Sequence, residues 1–168
     1  MLIEKLKRAN RMKLGFGIAS LLFSFIVYFL TMAPTLSFWD CGEFIACAYT
    51  MAVPHPPGAP MFLLIAKIFS MIPFSSDIAY RTNLLSVLSS AVTILFLYYT
   101  IVLLIKRFYE DPGNKVRQFI IYFSAFLGAM AFAFSDSQWF NAVETEVYGL
   151  STLLTALTVW LILKWDDA

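Results

Sequence analysis

Apolar residues run without a charge from Leu14 to Ala33, Leu84 to Ile105, Phe119 to Ser135 and Val147 to Leu163. Each run is about 17–22 residues, long enough to cross a hydrocarbon core of about 30 Å as α-helix. The pattern therefore predicts four membrane spans, over 14–33, 84–105, 119–135 and 147–163. The first is too long for the apolar region of a signal peptide, and Thr31-Met32-Ala33-Pro34 would be a poor cleavage site, so it reads as a retained helix. A fifth apolar stretch, Met61 to Ile72, is too short to span and carries Lys67 at its middle. With Ser37 to Met51 it predicts two helices at the membrane surface, Trp39 and Tyr49 lying at headgroup depth. The expected fold is all-α: four transmembrane helices plus two interfacial helices in a first loop over 34–80.

Composition agrees with a chain dissolved in lipid. Of 168 residues, 60% are hydrophobic, 17% aromatic and only 14% charged, against about 25% charged in a soluble domain. A soluble enzyme, a disordered tail and a disulfide-rich secreted scaffold are excluded. A net charge of +1, with no basic cluster outside the termini, argues against nucleic-acid binding. Cys41 and Cys47, if on one helix, stand about 9 Å apart along its axis, beyond disulfide reach, and read as small buried apolar residues.

Charge also predicts orientation. Lys5, Lys7, Arg8, Arg11 and Lys13 precede the first span, Lys106, Arg107, Lys115 and Arg117 lie between the second and third, and Lys164 follows the fourth. Ten of the twelve basic residues thus fall on one side, which the positive-inside rule makes cytoplasmic, with both termini. The other side keeps Lys67 and Arg81 against Asp40, Glu43, Asp77, Asp136, Glu144 and Glu146. The inner connection Glu110-Asp111-Pro112-Gly113-Asn114 reads as a turn.

Candidate chemistry is concentrated in the outer loops. Asp40 and Glu43, three apart, share a helix face, and carboxylates among apolar neighbours are candidates for raised pKa and for a general base. The competing reading is a capping box with Ser37 at the N-cap and Asp40 at N3. Four prolines within Pro54–Pro60 forbid helix before Pro60 and hold His55 in extended backbone. Gly58 permits a turn there. The loop either presents one imidazole to a lipid phosphate or is a stiff spacer. Arg81 opens the second span, where it either pairs with Asp77 or another carboxylate or binds an anionic group. In the second outer loop Asn141 and Glu144 fit a helix cap with its N3 partner. Glu144 and Tyr148 would share a helix face, with Glu146 pointing elsewhere into the lipid boundary, although a carboxylate this close to a span usually faces the bundle interior or a wet cavity; Asp136 reads as a solvated loop charge. One histidine makes no zinc site alone, and no phosphate loop or HExxH motif is present.

Taken together, Trp39-Asp40-Cys41-Gly42-Glu43, then His55-Pro56-Pro57-Gly58-Ala59-Pro60, Asn83 and Ser86, and Ala142-Val143-Glu144-Thr145-Glu146-Val147-Tyr148 resemble one family. It comprises multi-spanning membrane proteins long catalogued as a domain of unknown function, related to protein O-mannosyltransferases within the GT-C glycosyltransferase superfamily. The resemblance runs from the first span to the fourth. It implies the N-terminal part of a GT-C-like fold in a bacterial inner membrane or an ER-type membrane. It further implies transfer of mannose or another hexose from a polyprenyl-phosphate carrier to an acceptor hydroxyl, such as a protein Ser or Thr, on the outer face. Asp40 stands where such enzymes carry their catalytic base, with Glu43 in reserve. His55, Arg81, Glu144, Glu146 and Tyr148 are the substrate-binding candidates, His55 near carrier and acceptor and Arg81 near the lipid phosphate. Phosphate is already a good leaving group, so inversion with one base is favoured. With no Asp-x-Asp pair, no required metal or other cofactor is expected. Partners would be the lipid-linked donor, an exported protein acceptor and membrane lipids. GT-C enzymes have about a dozen spans, so the remainder is expected from further sequence or a second chain.

Two other functions compete. A non-enzymatic lipid- or partner-binding subunit would use Glu144, Glu146 and Arg81 as bundle glue. A small transporter would want its charges at mid-bilayer rather than at one face.

Overall fold

A computed structural model describes residues 2–108 and 114–166, with side chains from Ala9 onward. Its described residues form helices and no strands: α1 Leu2–Thr31, α2 Cys41–Thr50, α3 Pro60–Met71, α4 Ile78–Phe108, α5 Lys115–Ala133, α6 Asp136–Ala142 and α7 Val147–Asp166. Four of these, α1 from Ala9, α4, α5 and α7, are long and apolar enough to cross a membrane. The chain is an all-α integral membrane protein. The turn expected at 110–114 falls, but for Asn114, outside the described residues; Asn114 caps α5, its side chain accepting from the Val116 N–H at 3.0 Å.

Helix α4 is the hub, packing against α1, α5, α7 and α3. Val87, Ala91, Ile94 and Tyr98 of α4 meet Tyr28 of α1 and Tyr122 of α5 in the main core. Small residues on α5, Ala125, Ala129 and Ala133, let the helix axes approach. The buried phenols are satisfied within the bundle: Tyr28 Oη donates to the Ala133 carbonyl at 2.8 Å and Tyr98 Oη to Lys13 O at 2.9 Å. That matters where no water is on hand to replace such a bond. Gly149 has the same logic at the α4–α7 crossing, since a Cβ there would stand 3.2 Å from Ser90 Oγ and 3.4 Å from the Ser86 backbone.

The two short helices of the first loop lean on the far end of this bundle, away from the chain termini. Phe44, Cys47 and Ala48 of α2 pack with Phe62, Leu63 and Ala66 of α3 against Leu85 and Leu150. Helix α3 begins at Pro60, whose fixed φ and missing N–H suit a first helical position, as the proline run requires. Trp39 is exposed, and Tyr49 carries the Lys67 ammonium 5.0 Å over its ring. Both cysteines are free and buried.

A carboxylate–imidazole cluster as candidate functional site

Four segments converge at the far end: the start of α2, the proline loop, the first turn of α4 and the link between α6 and α7. The capping box expected at Ser37 is not formed. Helix α2 starts only at Cys41, with Asp40 itself in the N-cap position, in αR backbone and making no side-chain cap bond. Trp39, at φ +62°, turns the chain sharply just before it, which removes Ser37 from capping distance in sequence. The Asp40 carboxylate is thereby left for other work.

Its neighbour is His55. The His55 backbone N–H donates to Glu43 Oε1 at 2.7 Å, and His55 Nδ1 lies 2.7 Å from Glu43 Oε2. On the other edge of the ring, Nε2 stands 3.9 Å from Asp40 Oδ2. The turn that makes this possible closes with the Gly58 N–H on the His55 carbonyl at 3.0 Å, Gly58 adopting φ +90°, a conformation open to glycine at little cost. His55 opens this turn, at a bend in the chain. Phe44 packs beside the imidazole, ring centroids 5.7 Å apart.

Charge follows geometry. The hydrogen bond to Glu43, together with the charges of Glu43, Asp40 and Glu146, raises the His55 pKa, and the same hydrogen bonds hold the Glu43 carboxyl below its usual range. The cluster therefore favours the protonated imidazole over the neutral one. Ligand atoms of Asp40, Glu43 and His55 all lie within 4.8 Å of one another, so the three could also hold a divalent cation, which would have to displace the Glu43–His55 bond.

The link between α6 and α7 departs most from expectation. Helix α6 ends at Ala142 and α7 starts at Val147, so Glu144 lies in neither and Asn141 caps nothing; its amide donates back to the Ser137 carbonyl at 2.7 Å. Consequently Glu144 and Tyr148 do not share a helix face: Glu144 is 2% exposed and Tyr148 58%. Glu146 does not enter the lipid boundary either. It is buried, and burial followed by the charges of Glu144 and Asp40 pushes its pKa up to about 7. Glu144 Oε1 is buried with no hydrogen-bond partner among the described residues. Asp136 is exposed as expected, though in the first turn of α6 rather than in a loop.

Polar residues of α4 explain why this link folds inward. Thr145 Oγ1 contacts Asn83 Oδ1 and Thr82 Oγ1, and the Asn83 amide donates to the Ala33 and Thr35 carbonyls at 2.9 and 3.1 Å. Ser86 Oγ accepts from the Glu146 N–H at 3.4 Å, and the Ala33 N–H bonds the Val143 carbonyl at 2.8 Å. Cys41 Sγ donates to Thr145 O at 3.2 Å, and burial beside Glu144 pushes this thiol up to about 11. Sequence reasoning gave Thr82 and Thr145 no role. The signal for Thr82 was the run of small hydroxyl residues along the first turns of α4; Thr145, in the link, had none.

Arg81 forms no ion pair with Asp77. Its Nε donates to Ser75 O at 2.6 Å and its Nη1 to Ser70 O at 2.8 Å, tying the end of α3 to the start of α4. Asp77 instead caps α4, accepting from the Ala79 and Tyr80 N–H groups; a hydrogen bond from Thr35, then these two, then the charge of Arg81 lower its pKa.

These features define a class: an all-helical integral membrane protein that gathers carboxylates and one imidazole at one end of its bundle. Within that class the chain belongs to the protein O-mannosyl-transferase TMEM260 N-terminal domain family, whose profile matches residues 40–168. It is 34% identical over 143 residues to the mouse (Mus musculus) protein named protein O-mannosyl-transferase TMEM260, covering 84% of this chain and 18% of the relative. To the Dictyostelium discoideum protein of the same name it is 28% identical over 138 residues, covering 81% of this chain and 15% of the relative. The chain thus spans less than a fifth of the length of these curated relatives. No solved structure matches it.

Proposed function

We propose that this chain carries the catalytic end of a GT-C-type membrane mannosyltransferase. It would move mannose, or another hexose, from a polyprenyl-phosphate carrier to a serine or threonine hydroxyl of an exported protein. The relatives' names supply the reaction class. The observation that carries the reading is the Asp40 carboxylate, freed from helix capping and held 3.9 Å from the His55 imidazole at the far end of the bundle. In the proposed orientation ten of the twelve basic residues and both termini are cytoplasmic and this end is outer.

In the proposed step the acceptor oxygen attacks the anomeric carbon from the face opposite the phosphate, and the configuration inverts. The hydroxyl proton passes to Asp40 as the new C–O bond forms, and the bond to the carrier phosphate breaks with its electron pair. The phosphate leaves without a general acid. In this step His55, taken in the protonated form that its contacts with Glu43 and Asp40 favour, supplies the cation beside the reacting groups that a metal would otherwise provide. The reaction is accordingly proposed to need no metal. Arg81 uses two of its five N–H donors on carbonyls, leaving three for the carrier phosphate. Glu146, titrating near neutrality, can accept or donate to sugar hydroxyls, and exposed Tyr148 offers a face for the sugar ring.

The test is sugar transfer from a labelled polyprenyl-phosphate hexose in membranes expressing the full natural reading frame. Asp40→Asn at matched protein level is expected to lower transfer by about 10²–10⁴-fold, the usual contribution of a general base, and EDTA to leave it unchanged. Transfer that survives Asp40→Asn would move the base to Glu43 or Glu146. Loss with EDTA would turn the same three side chains into metal ligands.

A further inference from the structure

A second convergence of charge lies at the opposite end of the bundle, where the termini are. A cavity of about 260 Å³ opens between α1, α4 and α7, lined by Asn10, Lys13, Leu14, Tyr99, Trp160 and Lys164. Lys13 is half-buried there, its ammonium 5.4 Å from the Tyr99 ring centroid, and it is repelled by both Lys106 and Lys164. Lys106 and Lys164 stand in the last turns of α4 and α7, where the helix dipole favours a cation. Lys13 has no such support, since it lies well inside α1. Among residues whose side chains are described, the one carboxylate at this end is Asp166, and Arg107 holds it at 2.7 Å. Two ammonium groups from two helices, Lys13 and Lys164, therefore line one open cavity, and Lys106, whose ammonium stands 5.5 Å over the Tyr122 ring, adds positive charge nearby.

We propose that this cavity binds the phosphate of an anionic phospholipid in the leaflet on the side of the termini, which is the cytoplasmic leaflet in the orientation proposed above. Basic pockets between spans on that face suit phosphorylated headgroups. The lysines act as charged donors to phosphate oxygens, and Asn10 adds a neutral amide donor. The remaining walls favour a lipid over a free anion. Leu14 is half-exposed on the apolar face of α1, and Trp160, packed on Phe96 with centroids 5.2 Å apart, is an aromatic at the depth where acyl chains meet headgroups.

Native mass spectrometry of the full-length protein, titrated in zwitterionic detergent with phosphatidylglycerol or phosphatidylcholine, tests this directly. Phosphatidylglycerol is expected to bind at least about tenfold tighter. The double substitution Lys13→Gln and Lys164→Gln should weaken it about thirty-fold, as two lost charges imply, and leave phosphatidylcholine binding unchanged. Unchanged phosphatidylcholine binding also guards against misfolding, and Lys13→Arg with Lys164→Arg should keep the preference. Equal binding of the two lipids by the wild type would overturn the proposal. So would full phosphatidylglycerol affinity in the double Gln variant. Displacement of the lipid by millimolar inorganic phosphate would overturn the assignment to a lipid.

Discussion

At the residue scale, one histidine reports on the whole far-end cluster. Residues 1–168 contain a single His, and its imidazole signal, assigned by comparison with a His55→Gln variant, can be followed by NMR in detergent. Glu43, Asp40 and Glu146 all raise the His55 pKa, so its titration midpoint is expected above 6.5, and Glu43→Gln should bring it back down. A wild-type midpoint at or below 6.5 would remove the imidazolium from the mechanism. The stabilising effect of the raised pKa is fully present below the unfolded value of about 6.5 and is lost as pH rises through the folded value. For Glu43, whose pKa is lowered, the effect is present above about 4.3 and is lost as pH falls through the folded value. Attachment of the proline loop to α2 is therefore strongest in mildly acid solution. Glu146 runs the other way: burial pushes it up to about 7, so stability is lost as pH rises from the unfolded value of about 4.3 to about 7, where the unfolded chain ionises and the fold does not, and the loss is complete above neutrality. Glu146→Gln should raise the melting temperature relative to wild type at pH 8 and not at pH 4.5. None of this was legible from residue types alone. Glu43 and His55 are twelve positions apart, and only the turn closed at Gly58 brings them within 2.7 Å.

At the element scale, the α6–α7 link depends on its bonds to α4. Thr145→Val would leave Asn83 Oδ1 buried without its hydroxyl neighbour, an expected loss of about 1–3 kcal/mol, read as a lower melting temperature in detergent. An unchanged melting temperature would mean that the link is held by packing alone. Arg81 is testable in the same way. Arg81→Lys keeps the charge but cannot reach two carbonyls with a planar fork. It should destabilise the α3–α4 corner measurably, whereas a residue serving only the carrier phosphate would change transfer and leave melting alone. The long helices were legible because a charge-free run of this length has one stable form in lipid. The short segments were not. Spacing rules placed Ser37 as a cap and Glu144 at an N3 position, but both rules presume where a helix begins. Here α2 begins after the positive-φ turn at Trp39, and α7 begins only at Val147, the preceding residues being held by tertiary bonds to Asn83 and Ser86. Local pattern cannot register a partner sixty residues away.

At the scale of the whole molecule, the two ends carry opposite charge, with acidic groups and the imidazole at one and basic groups with the termini at the other. A transferase of the proposed kind needs water and acceptor at one end only, whereas a transporter must open to both. Single-cysteine probes distinguish them. Val53, in the proline loop, is 84% exposed, and Trp165, at the end of α7, is 82% exposed. Cys41 and Cys47 provide little background, since both are buried and the Cys41 thiol, pushed up to about 11, holds almost no thiolate at neutral pH. In sealed, right-side-out membranes an impermeant maleimide is expected to label Val53→Cys and to spare Trp165→Cys until the membrane is permeabilised. The reverse pattern would invert the orientation and put the cluster on the cytoplasmic face, where an exported acceptor could not reach it. The outcome also bears on the lysine cavity. It shares an end with Trp165, so labelling of Trp165→Cys from outside would assign its lipid to the outer leaflet and remove the electrostatic argument for an anionic headgroup there.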